Sequence, residues 1–237
     1  MPTFDRLLDW IRNQNDQPSS AESVFVVGLG RFGSALANRL VELDVEVMAI
    51  DMDIELVNEW AGRLTHVRQA DGTNHKTLKQ LGAADFDVAV VAIGSDIEAS
   101  ILSTAALTDI AAVNIWAKAI TTEHGRILER VGAHNVVFPE RQMGERVAQV
   151  LSHKVVDYFK IDEGFVLAEL VAPADLHGIA LGDSDIRKKY GVTVVCIKPN
   201  KGVFTYAAPE TVIGEGDLLI VAGTTEDAER FTDHASR

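Results

Sequence analysis

The chain has 237 residues, 47% of them hydrophobic, a formal net charge of −13 and a single cysteine. That length holds one medium domain or two small ones with a buried core, and the negative charge, with no Lys/Arg-rich run to offset it, excludes a nucleic-acid backbone as partner. The lone Cys196 rules out an internal disulfide, and the start of the chain lacks the basic and apolar regions of a signal peptide. No stretch of about 18 apolar residues occurs, so a cytoplasmic protein without direct membrane insertion is expected.

Residues 1–22 read as an N-terminal arm. Phe4, Leu7, Leu8 and Ile11 fall at i, i+3, i+4 and i+7 on a short helix, and a polar linker containing Pro18 follows. The next stretch organises the rest. A buried strand over 24–27 leads into Gly28-Leu29-Gly30-Arg31-Phe32-Gly33, an amphipathic helix to 43, a second strand over 45–50 and then Asp51. This is the strand–turn–helix–strand pattern of a dinucleotide-binding unit. Gly28 permits the tight turn, Gly30 lets the backbone approach a phosphate, and Gly33 allows close packing of helix on strand. A carboxylate at position 51 can accept from both ribose hydroxyls and would repel a 2′-phosphate, which favours NAD, ATP or ADP over NADP. Arg31 is either a solvated helix-start residue or a guanidinium beside the phosphates.

Alternation continues with helix 54–62, strand 66–69, helix 75–81, strand 88–93, helix 97–108, strand 114–118, helix 123–131 and strand 135–138. Six strands alternating with helices predict a Rossmann-like doubly wound parallel sheet over residues 23–139. Ligands bind such sheets outside the carboxyl ends of the strands. The candidates there are Asp51 and Asp53, Asp71-Gly72-Thr73, Gly94-Ser95-Asp96, Lys118 and Pro139-Glu140. A crossover helix is expected over 140–159 and taken with its end as a segment 140–161, from Met143, Val147, Val150, Leu151, Val155 and Tyr158. Residues 162–237 then read as a small α+β domain. It has strand 165–171, a short helix at 184–189, a hairpin from 192–197 to 203–206 with Cys196 as a buried strand residue, strand 217–222 and helix 226–235.

With these residues in place the chain resembles the RCK family, regulators of potassium conductance, and most closely the cytosolic gating subunits of Ktr and Trk potassium uptake systems. The resemblance rests on the glycine turn together with Ala92-Ile93-Gly94, Asn114-Ile115-Trp116-Ala117-Lys118-Ala119, Phe138-Pro139-Glu140-Arg141-Gln142-Met143-Gly144 and Lys189-Tyr190-Gly191-Val192-Thr193. It covers nearly the whole chain except the first twenty residues. It implies a nucleotide-binding N lobe, a dimerising crossover helix and a C lobe that also dimerises. The dimers would assemble into an octameric ring beneath a membrane-embedded Ktr- or Trk-type channel subunit, at the inner face of the membrane. ATP would favour the open channel and ADP the closed one.

By the same resemblance Arg31 contacts the γ-phosphate, Phe32 belongs to the glycine turn, Asp51 and Asp53 hold the ribose, and Lys118 lies near the phosphates. Glu140 would take Mg2+ or another divalent cation between subunits. Cyclic di-AMP at a C-lobe two-fold axis is implied for some members, and Arg187, in the cationic run Arg187-Lys188-Lys189, is the candidate there. The protein is expected not to be an enzyme. The rival reading is an NAD-dependent oxidoreductase, for which His153 and His177 stand alone without a paired carboxylate. A ligand-free adaptor would leave Asp51, Lys118 and Glu140 without a purpose at the strand ends.

Overall fold

The computed structural model describes residues 21–153, 156–162 and 164–235. The expected arm helix with Phe4, Leu7, Leu8 and Ile11 therefore lies outside the described residues, as do the side chains of Val150 and His153 and residue Val155. The chain divides into two compact units, with the division between Arg141 and Gln142.

The N-terminal unit is a six-stranded sheet in the order β3-β2-β1-β4-β5-β6. Its strands are β1 (Ser23–Val27), β2 (Glu46–Asp51), β3 (His66–Gln69), β4 (Val88–Val91), β5 (Ile115–Lys118) and β6 (Asn135–Val137). All neighbouring pairs run parallel, with β1 in register against β2 (Val24 to Val47) and β4 (Val24 to Val88). Helices α1 (Arg31–Glu42), α2 (Ile54–Trp60), α3 (His75–Gln80), α4 (Ile97–Asp109) and α5 (Thr122–Arg130) make the crossovers. A parallel sheet covered on both faces needs apolar residues at consecutive positions. Val24, Phe25, Val26 and Val27 are all buried, Phe25 and Val27 in one core cluster and Val24 and Val26 in the other. The strand order reverses between β1 and β4, which opens a crevice at their carboxyl ends.

The helix α6 (Pro139–His153) crosses the division between the units. It is shorter than the sequence implied. The spacing of Leu151, Val155 and Tyr158 continues the helical period by coincidence, but Asp157–Asp162 forms a strand, β7. It pairs antiparallel with β8 (Phe165–Val171), Tyr158 opposite Ala168, and the Val156 N–H donates to Glu169 O at 2.7 Å. Alternation decides it, because Tyr158 packs on the C-terminal core while Phe159 and Ile161 stay exposed. Arg146 fixes the corner: its Nε donates to Asp157 Oδ1 at 2.8 Å, and its guanidinium lies 4.5 Å above the Phe159 ring.

The C-terminal unit is thus a five-stranded antiparallel sheet in the order β10-β9-β11-β8-β7, completed by β9 (Thr193–Lys198), β10 (Thr205–Tyr206) and β11 (Leu218–Thr224). Helix α8 (Thr225–Ala235) puts Ala228 and Phe231 on its core. The short α7 (Ile186–Tyr190) begins two residues later than expected, since Asp185 takes a left-handed conformation at its start. Cys196 lies in β9 as expected but is half-buried; the register shift at Ile220/Val221 places Ile220 opposite Cys196 and Val221 opposite Val194.

Candidate nucleotide site

The turn after β1 is built by glycines with different duties. Gly28 has φ 101 and donates its N–H to Ile50 O at 2.8 Å, tying the turn to β2. A Cβ at Gly33 would sit 1.9 Å from Gly28 O, so helix and turn close on each other only without a side chain. Gly30, the N-cap of α1, has an ordinary φ of −62, and a Cβ there would meet nothing within 4 Å. No side chain caps α1 and no acid stands in its first turn. Its first N–H groups therefore remain available to an anion.

The carboxylate of Asp51, at the end of β2, is more than a ribose acceptor. Its Oδ2 takes the Leu29 N–H at 2.6 Å and its Oδ1 takes the Asp53 N–H at 2.8 Å, so it shapes the glycine turn and the start of α2. Asp53 caps α2 through Glu55 N at 2.8 Å. Asp71 folds back on the Thr73 N–H and hydroxyl. Gly72 is pressed onto β1 and α4: a Cβ there would lie 2.4 Å from Val27 Cγ1 and 3.1 Å from Ser103 Oγ.

At the other end of the cleft Lys118 leaves β5 with its side chain only 10% exposed. Its ammonium lies 2.6 Å from Glu140 Oε1 and 5.8 Å over the Phe32 ring. A Cβ at Gly94 would come within 2.8 Å of that nitrogen, so a side chain there would push the end of Lys118 from its place beside Glu140. The Lys118 ammonium bonded to it, with Arg31 adding to the field, holds the exposed Glu140 carboxyl below its usual range.

These residues surround one cleft of about 620 Å³, a size suited to a mononucleotide or dinucleotide. Gly28, Gly30, Arg31, Phe32, Asp51, Asp53, Asp71, Gly72, Gly94, Lys118 and Glu140 all line it; Gly33 stands behind the turn. Arg187 belongs to the C-terminal unit, exposed on α7 in the last-turn cations Arg187, Lys188 and Lys189. His177 is half-buried with its Nε2 at 3.2 Å from Ala172 O, a structural contact. Ser103 escaped sequence reasoning. It lines the cleft floor from α4 with its hydroxyl buried and unpartnered, and the signal was present: Ser100, Ser103 and Thr104 fall on the helix face that should be apolar. Among the described residues no group of three or more His, Cys, Asp or Glu could hold a metal. A divalent cation at Glu140 would thus need its other ligands from nucleotide phosphates, water or a second subunit, the mode magnesium commonly adopts.

The TrkA-N domain matches residues 24–139 and the TrkA-C domain residues 165–236. The Ktr system potassium uptake protein C of Bacillus subtilis is 42% identical over 207 residues, spanning 87% of this chain and 94% of that protein. The chain belongs to the Ktr/Trk family of potassium uptake proteins. The Ktr system potassium uptake protein A of Vibrio alginolyticus is 34% identical over 199 residues, 84% of this chain and 90% of its own length. In fold the chain is similar to the GsuK channel bound to NAD, with a TM-score of 0.62 at 19% identity over 93% of this chain and 42% of that one. The division into two lobes thus follows the two family domains, with β7 lying just ahead of the TrkA-C match.

Proposed function

We propose that this member of the Ktr/Trk family is a nucleotide-sensing regulatory subunit that gates potassium uptake through a membrane-embedded channel subunit. The observation that carries the reading is the cleft at the β1–β4 switch point. It offers an uncapped helix N-terminus, the Asp51 carboxylate at one end and the Lys118 and Arg31 cations at the other. An adenosine ribose fits at Asp51 and the phosphates at Gly30, Arg31 and Lys118. ATP differs from ADP by one phosphate, and a ligand shifts a conformational equilibrium only through contacts that differ between the states. Arg31 and a divalent cation held by Glu140 are the groups that would feel that phosphate. NAD(H) would fill the same ribose and diphosphate positions and act as a competing signal.

The protein would work in the cytoplasm against the inner face of the membrane, as a homodimer built into an octameric ring. No helix among the described residues is long and apolar enough to cross a membrane. The test has two arms. A thermal-shift panel of ATP, ADP, NADH and NADPH, with and without magnesium, should raise the melting temperature for the ligands with free ribose hydroxyls, because a ligand bound to the native state stabilises it. Co-purification with Ktr- and Trk-type channel subunits, followed by potassium flux with ATP and ADP, should show faster flux with ATP. Turnover of NADH with a carbonyl substrate, and no effect on flux, would instead support the oxidoreductase reading.

A further inference from the structure

The cationic end of the cleft is already neutralised from within the chain. Lys118 is nearly buried, and a buried ammonium needs a partner; its partner here is Glu140 at 2.6 Å. The carboxylate itself stays 59% exposed, anchored on the first turn of α6 beside Pro139. A nucleotide phosphate arriving over Gly94 and Phe32 would meet Lys118 only by taking the place of Glu140 or by sharing the ammonium with a like charge. From this arrangement, and resting on the nucleotide reading above, we propose that Glu140 is an internal counter-anion that makes the cleft select cation-complexed over free nucleotide phosphates.

The argument is one of exchange. Lys118 offers three N–H donors, so a phosphate oxygen can replace the carboxylate oxygen without loss of hydrogen bonding. The displaced carboxylate remains tethered to α6 a few ångströms from the incoming charge, and like charges at that range repel. A divalent cation removes the repulsion by bridging carboxylate and phosphate. Glu140 would therefore create the cation requirement as well as help to satisfy it.

The experiment separates this role from simple cation ligation by the sign of one effect. ATP affinity of the full chain is measured by calorimetry in excess chelator and in magnesium, for the wild type, Glu140→Gln and Glu140→Ala. Removing the internal anion should tighten metal-free ATP binding by about three- to ten-fold in both variants and shrink the gain from magnesium. The alanine variant guards against a glutamine that keeps the hydrogen bond to Lys118. Metal-free affinity unchanged or weaker in both variants, with the wild type binding ATP, overturns the counter-anion role and leaves the nucleotide reading standing. A wild type that binds no adenine nucleotide in either condition overturns both.

Discussion

At the scale of single residues, the glycine turn separates what the fold needs from what a ligand needs. Gly33→Ala forces a methyl into Gly28 O, so it should cost about 2–4 kcal/mol of stability, read as a clear fall in melting temperature. Gly30→Ala places its methyl where no protein atom stands, so the melting temperature should hold while nucleotide affinity falls. A drop in stability for Gly30→Ala matching that of Gly33→Ala would show that the two glycines share one duty. Asp51→Ala is expected to do both kinds of damage, since the carboxylate accepts two backbone N–H groups in the free protein. Affinity for ATP and ADP should fall alike, by about ten-fold or more, with a loss of stability that Gly30→Ala lacks. His124 carries the pH prediction. It is 2% exposed, its Nδ1 accepts from the Ile120 N–H at 3.4 Å, its Nε2 has no partner, and burial lowers its pKa. Above the ordinary histidine range the ring is neutral folded or unfolded. As pH falls through about 6.5 the unfolded chain takes up a proton that the native state refuses, so stability declines until the pH passes below the lowered native value. His124→Gln should flatten that decline in denaturant melts between about pH 7 and 5, and an unchanged slope would assign it to other groups.

At the scale of elements, the parallel sheet was legible in the sequence because its central strands β1 and β4 are near-continuous buried apolar runs and four of its five crossover helices carry a side-chain cap. Asp53, Asn74, Asp96 and Thr121 cap α2, α3, α4 and α5 through their side chains, and these are residue types that announce a helix start. The cleft followed from the strand ends, as the lining by Asp51, Asp71, Gly94 and Lys118 illustrates. What the sequence concealed were partnerships made across the chain: the bond of Asp51 to Leu29, the pairing of Lys118 with Glu140 twenty-two residues away, and the floor formed by Ser103. Strand β7 was hidden for another reason. It is an edge strand with one exposed apolar face, so its alternation is incomplete and blends into the period of α6. This matters for the C-terminal unit, because a fragment starting at residue 161 would cut β7 and leave the β8 edge bare. The proposed cyclic di-AMP site at Arg187 should therefore be tested on the full chain. Calorimetry is expected to give one ligand per dimer, lost in Arg187→Ala; no heat in the wild type would leave Arg187 to Lys189 as cations favoured by a helix C-terminus.

At the scale of the whole molecule, the question is what could drive the proposed assembly of a chain that carries a net charge of −13. Charge opposes it, since each added copy brings more of the same sign. An apolar seam must supply the attraction, and α6 presents one. Met143, Val147 and Leu151 recur every fourth residue, 55%, 46% and 79% exposed, and Gly144 beside them has open space where a Cβ would be. Four large exposed apolar positions follow on or near β7, at Val156, Phe159, Ile161 and Phe165. A stripe of this kind on a helix is self-complementary about a two-fold axis, where the same residue meets itself or a near neighbour. Val147→Asp would place a carboxylate at that seam once from each subunit, buried and facing its own kind. Sedimentation equilibrium should then show a lower mass than the wild type, while circular dichroism stays unchanged because Val147 lies outside the core of its own chain. Salt supplies an independent sign. Screening weakens repulsion between the acidic chains and leaves apolar burial intact, so raising ionic strength from about 0.05 to 0.5 M should favour the wild-type assembly. Salt bridges as the main glue would give the opposite trend, and an unaltered mass for Val147→Asp would move the dimer seam off α6.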